Sequence, residues 1–330
     1  MSNEKTSDLT IELKKERAGQ IKFAIGFVVV FFALLVLFHV ITGGQFLSGD
    51  KITVVLLHSI WPTFAAWALC FIFASGYTDL SLGGIMVLGS VSACIFGNWY
   101  GYIGVVLGGL IVGLVLTFIN FNIFAFTKIP SWIASIILAL IYEAIAFGMK
   151  MGASTKSLVD TELNRDYRLL GKLPWSFIIM LVCLVIVYYI YNRTTVGTNI
   201  RAIGGNADVS KALGINITKT LLGIGVISGI LVGIACFMQE SYAGRVTVKT
   251  GLTSINMILQ PMAIYLLAKV LEKKMNIIIA VPFCSFIIYA VFNVLSSLGV
   301  PSGTLQESVL GLFIVVFGVI GQMGVKGVVK

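Results

Sequence analysis

The feature that most constrains this chain is a set of long apolar runs without charge. Phe23–Val40 contains His39 and no ionised side chain, and Val54–Gly76 and Phe177–Tyr191 contain no charge. A stretch of about 18 or more such residues is long enough to cross a bilayer as a helix at roughly 1.5 Å per residue. Lipid offers no partner to backbone N–H and C=O groups, so a spanning segment is a helix or part of a closed barrel. A barrel would show short alternating segments, and the pattern has none. Composition agrees: 58% of residues are hydrophobic and 11% charged, against roughly 45–50% and 25% in soluble domains. The expected fold is therefore all-α, a polytopic membrane helix bundle.

The runs predict about ten transmembrane helices, near 22–41, 52–74, 84–97, 102–126, 131–149, 174–191, 221–240, 255–271, 277–298 and 307–323. Residues 1–21 read as a cytoplasmic tail with an amphipathic stretch, Leu9–Arg17, that is either solvated or used for docking. Met1–Gln20 is polar and lacks the apolar core and cleavage site of a signal peptide. Residues 22–323 form the membrane domain, with a cytoplasmic loop at 192–220, and 324–330 a C-terminal tail. Lys and Arg concentrate on the cytoplasmic side. With both termini inside, that side gathers Lys14, Lys15, Arg17, Arg193, Arg201, Lys211, Lys219, Lys269, Lys273 and Lys274. The outside basic residues fall mostly in one long loop, 150–173. The net charge of +9 is then a topology signal and does not call for nucleic acid.

Several chemistries find no footing. Cys70, Cys94, Cys183, Cys236 and Cys284 all lie in predicted spans, without a C-x-x-C pair, and read as small packing residues. His39 and His58 are isolated, so no metal site is expected. No G-x-x-x-x-G-K-[ST] loop occurs, so the chain has no ATP site of that type. Neither a Ser-His-Asp set nor paired carboxylates suggest an enzyme, and no cofactor is expected.

Glycine spacing points to close helix contacts. Gly104, Gly108, Gly109 and Gly113 in the fourth span, and Gly225, Gly229 and Gly233 in the seventh, give the small-xxx-small pattern that lets backbones approach in lipid.

Two segments go beyond packing. Ser75–Gly84 places Tyr77, Thr78, Asp79 and Ser81 among three glycines, between two apolar runs. Such a stretch can be unwound at membrane depth, where it must face protein or a wet cavity. An acid there is costly and functional by default; alternatively Thr78 or Asp79 caps the next helix. The second segment is Tyr191–Asn216. Gly204-Gly205 should break the chain, Asn206 suits an N-cap, Asp208 a first turn and Gly214 the residue past the helix end. Val209, Ala212 and Leu213 then share one side of a two-turn helix, with Lys211 beside them. A helix this short is marginal alone. It either docks into a partner's groove or is a solvated linker.

The run from Thr195-Val196-Gly197 through Ala202-Ile203-Gly204-Gly205-Asn206 to Gly214-Ile215-Asn216 resembles the cytoplasmic loop of the ribose/galactose/xylose/autoinducer class of bacterial ABC permeases. Gly76-Tyr77-Thr78-Asp79-Leu80-Ser81-Leu82-Gly83 resembles that family's G-G-x-D-L-S-x-G motif, with Tyr77 and Thr78 unusual. Ile129-Pro130-Ser131-Trp132-Ile133-Ala134-Ser135 resembles its I-P-x-F-I-x-T segment. The resemblance covers about residues 20–240. It implies a type II importer fold in a bacterial cytoplasmic membrane, with a second permease chain, two cytoplasmic ABC ATPase subunits and an extracytoplasmic substrate-binding protein. It also implies that Asn206–Gly214 is the coupling helix seated on an ATPase. Where the family carries a Gly-rich loop after the eighth span, this chain has Ala268–Asn276, charged and helix-favouring, which makes a heterodimer as plausible as a homodimer. The scarcity of charge within the spans points to a small neutral polar solute such as a sugar. The competing class is a secondary transporter or channel using Asp79, Glu143 and Glu240 for ion coupling.

Overall fold

The structure, a computed structural model, describes residues 26, 29, 31–127, 129–152, 160–272, 274–300 and 303–322. The expected tails, 1–21 and 324–330, lie outside the described residues. The apolar runs become α1 (Phe31–Ile41), α2 (Gly49–Ala74), α3 (Leu82–Phe126), α4 (Ser131–Gly152), α5 (Trp175–Arg193), α8 (Ile217–Ala243), α9 (Ile255–Leu271), α10 (Ile277–Ser297) and α11 (Thr304–Gln322), with α6 (Thr195–Gly205) and α7 (Ala207–Ala212) between α5 and α8. Six of them, α2, α3, α4, α5, α8 and α10, are long and apolar enough to cross a membrane, and α1, α9 and α11 contain shorter apolar stretches. The chain is a polytopic helical membrane bundle.

The predicted third and fourth spans are one folded-back hairpin. α3 reverses at Gly101, whose φ of 66° and ψ of −146° suit glycine. The arms 82–100 and 102–126 then press closely together, backbone against backbone at Gly104 and Gly108. A Cβ on Gly104 would sit 1.9 Å from the Phe96 carbonyl oxygen, and one on Gly108 2.7 Å from that of Ser92. The second arm packs on α8 through the two predicted glycine series. A Cβ on Gly113 would lie 2.4 Å from Gly233 N, and one on Gly229 2.8 Å from the Leu114 Cα. The first arm is buried on nearly all sides, from Leu82 to Ile95. Its neighbours are protein on nearly every side.

The all-α expectation needs one amendment. β1 (Asp160–Glu162) and β2 (Arg245–Thr247) pair antiparallel, with Thr161 opposite Val246. Three-residue strands carry too little alternation to be read from sequence. Asn98 at the α3 hairpin fixes this ribbon: its Nδ2 donates to Glu162 O at 2.9 Å, and its Oδ1 accepts from Asn164 N at 2.9 Å. Arg168 Nη2 donates to both Leu163 O (2.8 Å) and Gly244 O (2.6 Å).

Contacts sort the connections into two ends. At one end the 160–168 segment meets 244–247, and Lys51 Nζ donates to Ser297 Oγ at 3.2 Å. At the other, Thr78 N donates to Ser131 Oγ at 3.1 Å, and Asn276 Nδ2 donates to Asn192 Oδ1 at 2.7 Å. A Cβ on Gly204 would lie 2.0 Å from Ala74 O at that same end.

The 192–220 loop is more ordered than expected. Gly204-Gly205 does not break the chain; α6 runs through both and ends at Asn206, whose φ of −161° and ψ of 112° are extended. Thr194 caps α6 by accepting from Gly197 N, and Ile200 and Ile203 bury one side. Glycine is tolerated inside this helix because Gly204 must lie against the α2 backbone, where a side chain has no room. The charged Ala268–Asn276 stretch is a tight connection: Lys269 pairs with Glu272, and Asn276 caps α10 by accepting from Ile278 N at 3.0 Å.

Candidate functional site

Residues 75–81 are non-helical and join α2 to α3. Gly76 takes a φ of 80°, and the chain then turns inward. Asp79 and Ser81 are fully buried, whereas Tyr77 and Thr78 are half-buried. Asp79 Oδ1 accepts from Ser81 N at 2.9 Å and from Ser81 Oγ at 2.7 Å, which organises the first turn of α3. Asp79 Oδ2 accepts from Asn120 Nδ2 at 2.8 Å, and Asn120 Oδ1 accepts from Tyr142 Oη at 2.6 Å. The capping role weighed from sequence is therefore present, inside a larger network. Tyr77 stacks on Phe124, with ring centroids 6.3 Å apart.

The network is deep. Asn120 stands six residues before the end of α3, about 9 Å along the helix. Tyr142 is in the middle of α4. Beside it, Glu143 reaches a second non-helical stretch that arrives from the opposite end. Its Oε2 accepts from Leu252 N at 2.9 Å and its Oε1 from Ser254 N at 2.8 Å. Leu252 holds a φ of 66°, a conformation that side chains disfavour, so the carboxylate clamps a strained approach to α9. A Cβ on Gly83 would lie 2.1 Å from Ser254 O, so the two broken segments touch. Sequence reasoning missed Asn120, Tyr142 and Ser254; Glu143, named there only for the competing transporter class, has both its oxygens on backbone amides. The available signal was Asn120 itself, a polar side chain in an apolar run.

The second predicted site forms as a short helix. Asn206 Oδ1 accepts from Asp208 N (3.0 Å) and Val209 N (3.1 Å), and Gly214 takes a φ of 83° past the end of α7. Ser210 faces the protein and donates to Asn206 O at 2.8 Å. Asp208, Lys211, Ala212 and Gly214 are exposed, Val209 is 53% exposed and Leu213 75%. Among the described residues, nothing covers the apolar side of α7. Gly204, at the foot of α6, lies against Ala74 and Gly76, so α6 joins this surface to the segment carrying Asp79.

Two non-helical segments meeting inside a bundle, with a short helix docked at one end, is geometry suited to a permease. Residues 51–318 match the family described as the branched-chain amino acid transport system / permease component. The chain belongs to this permease family. It is similar to the fructose import permease protein of Rhizobium meliloti, 29% identical over 66% of this chain and 63% of that protein. It is also similar to the xylose transport system permease protein of Haemophilus influenzae, 23% identical over 64% of this chain and 73% of that one. The galactose/methyl galactoside import permease protein of Escherichia coli is 30% identical over 45% of the chain and 44% of its own length. The permease thus spans under two thirds of the first of these relatives. No solved structure matches it. The resemblance read from the three motifs is borne out, and the family's members named here are transport proteins.

Proposed function

We propose that this permease is the membrane subunit of a bacterial ABC importer. It forms the pathway for a small neutral polar solute, a sugar or related compound, delivered by an extracytoplasmic binding protein. Separate cytoplasmic ABC ATPase subunits drive it, and a second permease chain, identical or a sister, completes the pathway. The observation that carries the proposal is the uncovered apolar side of α7 in a member of a permease family. A secondary transporter has no use for such a surface, and Glu143, one of its candidate coupling acids, is committed to two backbone amides. Purification of the chain with its native partners tests this directly. An ATPase that co-purifies and hydrolyses ATP faster with loaded binding protein is expected. Solute uptake by liposomes containing this chain alone would overturn the proposal.

Ten spans, with both termini cytoplasmic, account for the two sets of end contacts in this proposal. Counting the arms of α3 separately, the helices alternate so that β1 and β2 lie outside and α6 and α7 inside. A cysteine at position 160 should react with an impermeant maleimide on intact cells, and one at 208 should react after permeabilisation. The reverse pattern would invert the orientation and detach α7 from any cytoplasmic ATPase.

The segment Tyr77, Thr78, Asp79 and Ser81 is assigned to the translocation pathway. Asp79→Asn preserves the acceptor for Ser81 and can keep Asn120 bonded if that amide turns over, so insertion and folding should survive. Uptake by the assembled transporter should fall several-fold. Near-normal uptake would make Asp79 a helix cap and no more, since Asn caps nearly as well.

A further inference from the structure

A polar cavity lies away from Asp79, between α2, α9, α10 and α11, at the end where Lys51 meets Ser297. Its volume is about 270 Å3, and its polar lining comprises His58, Gln260, Tyr289, Asn293, Ser296 and Gln306, with Phe292 on the wall. Among the described residues, no carboxylate, ammonium or guanidinium lines it. Six neutral hydrogen-bonding side chains, drawn from four otherwise apolar helices, are more than packing needs; polar groups within spans are costly and mark solute paths.

Most of these groups are arranged in pairs that keep spare capacity. Tyr289 Oη donates to Gln260 Oε1, leaving the Gln260 amide N–H groups free to donate. Gln306 Nε2 donates to Ser296 Oγ at 2.9 Å, leaving the serine hydroxyl proton to find an acceptor. The His58 ring stands edge-on to Tyr242 and Tyr289, at 4.7 and 6.0 Å between centroids, which fixes the orientation of both rings. Asn293 Oδ1 is different: it is buried and accepts no hydrogen bond among the described residues. A buried acceptor without a donor is destabilising, so its retention at a cavity wall calls for a donor from outside.

We propose that this cavity is a holding site for a neutral monosaccharide, with a sugar hydroxyl donating to Asn293 Oδ1. The proposal rests on the importer reading above and adds a station on the solute's path. Sugar hydroxyls both donate and accept, which matches amides and hydroxyls with free donors and acceptors. Sugar C–H faces pack on aromatic rings, which Tyr289 and Phe292 supply. The volume lies below the roughly 300–1,000 Å3 of pockets for drug-sized ligands, so it suits one sugar ring and not an oligosaccharide. The uncharged lining disfavours amino acids, whose ammonium and carboxylate groups would be buried without counter-charges.

The test uses the permease assembled with its ATPase, carrying Val54→Cys, an exposed apolar position on the cavity wall, in a Cys183→Ser background. Cys183 is half-buried and the other four native cysteines are buried. The rate of modification by an externally added cationic methanethiosulfonate is measured with D-ribose, D-xylose, D-fructose, D-galactose or L-leucine present. At least one sugar should slow labelling fivefold or more, leucine should not, and adding Asn293→Leu or Gln260→Leu should remove the protection. Ser296→Cys, at the exposed rim, is the parallel reporter should Val54→Cys fail to assemble. Rates unchanged by all four sugars, or slowed by leucine alone, would overturn the proposal. ATPase co-purification is scored separately on the same samples. Retained ATPase with unprotected cysteine removes the cavity site alone, whereas a wild-type chain that captures no ATPase removes the importer reading.

Discussion

Leu213→Asp should strip the permease of its ATPase while leaving the membrane bundle intact. Leu213 is 75% exposed and Val209 53%, on a helix of six residues that cannot hold itself together by its own hydrogen bonds. What fixes α7 within the chain is the Asn206 cap and the buried Ser210, and Leu213 touches neither role. If α7 sits in a groove, the new carboxylate is buried without a partner, at a cost of about 3 kcal/mol or more. That corresponds to roughly 100-fold weaker association. ATPase recovered by affinity capture of the permease should therefore fall to near background, as should hydrolysis stimulated by loaded binding protein. Yield and monodispersity of the permease in detergent should match wild type. Leu213→Met, which keeps an apolar side chain of similar size, should retain both. Unchanged ATPase capture by Leu213→Asp would remove α7 from the energy-coupling surface.

The path from α7 to the Asp79 network is short. Gly204, in the last turn of α6, leaves no space for a side chain against Ala74. Two residues beyond Ala74 the chain turns at Gly76 and enters the Asp79 network. A displacement of α6 must therefore shift the α2–α3 junction or break this contact, since close-packed backbone does not deform gradually. Glu143 ties the second broken segment to α4 next to Tyr142, so both non-helical stretches answer to the same helix. In the proposed importer, these backbone contacts and few buried hydrogen bonds would be the physical carrier of coupling.

What the sequence disclosed follows from the strength of each periodic signal. Helices such as α2 and α10 were legible to within a few residues because an apolar run admits one backbone solution in lipid. The α7 cap was legible because Asn206 and Gly214 act locally, through their own neighbours' amides. α6 was not, since its glycines and threonines weaken the helical pattern and its reason for being helical is Gly204 lying against α2. The partners of Asp79 were equally hidden: Asn120 and Tyr142 are 41 and 63 positions away along the numbering, and only the tertiary fold brings them together. The ribbon of β1 and β2 depends on Asn98 and Arg168 reaching distant carbonyls, and no local pattern announces it.

Gly113→Val should destabilise the permease, and Gly223→Ala should cost it nothing. The two glycines are alike in sequence, each inside an apolar helix, but their surroundings differ. A Cβ on Gly113 would meet Gly233 N at 2.4 Å, Gly233 Cα at 2.5 Å and Gly229 O at 2.8 Å. All three are backbone atoms of α8, so the collision is relieved by moving a helix and not by turning a side chain. In lipid, where no hydrophobic force holds helices together, such backbone contact supplies much of the packing energy. Overpacking at a tight site costs about 1–3 kcal/mol, and here two branched methyls must be accommodated at the crossing of α3 and α8. The melting temperature in detergent should fall by about 5 °C or more, with aggregation on size exclusion after mild heating. Gly223, by contrast, has nothing within 4 Å of its added Cβ, and alanine is the better helix former by about 1 kcal/mol, so Gly223→Ala should melt at or slightly above the wild-type temperature. Equal melting of the two variants would mean that the glycine contact between α3 and α8 contributes nothing to stability.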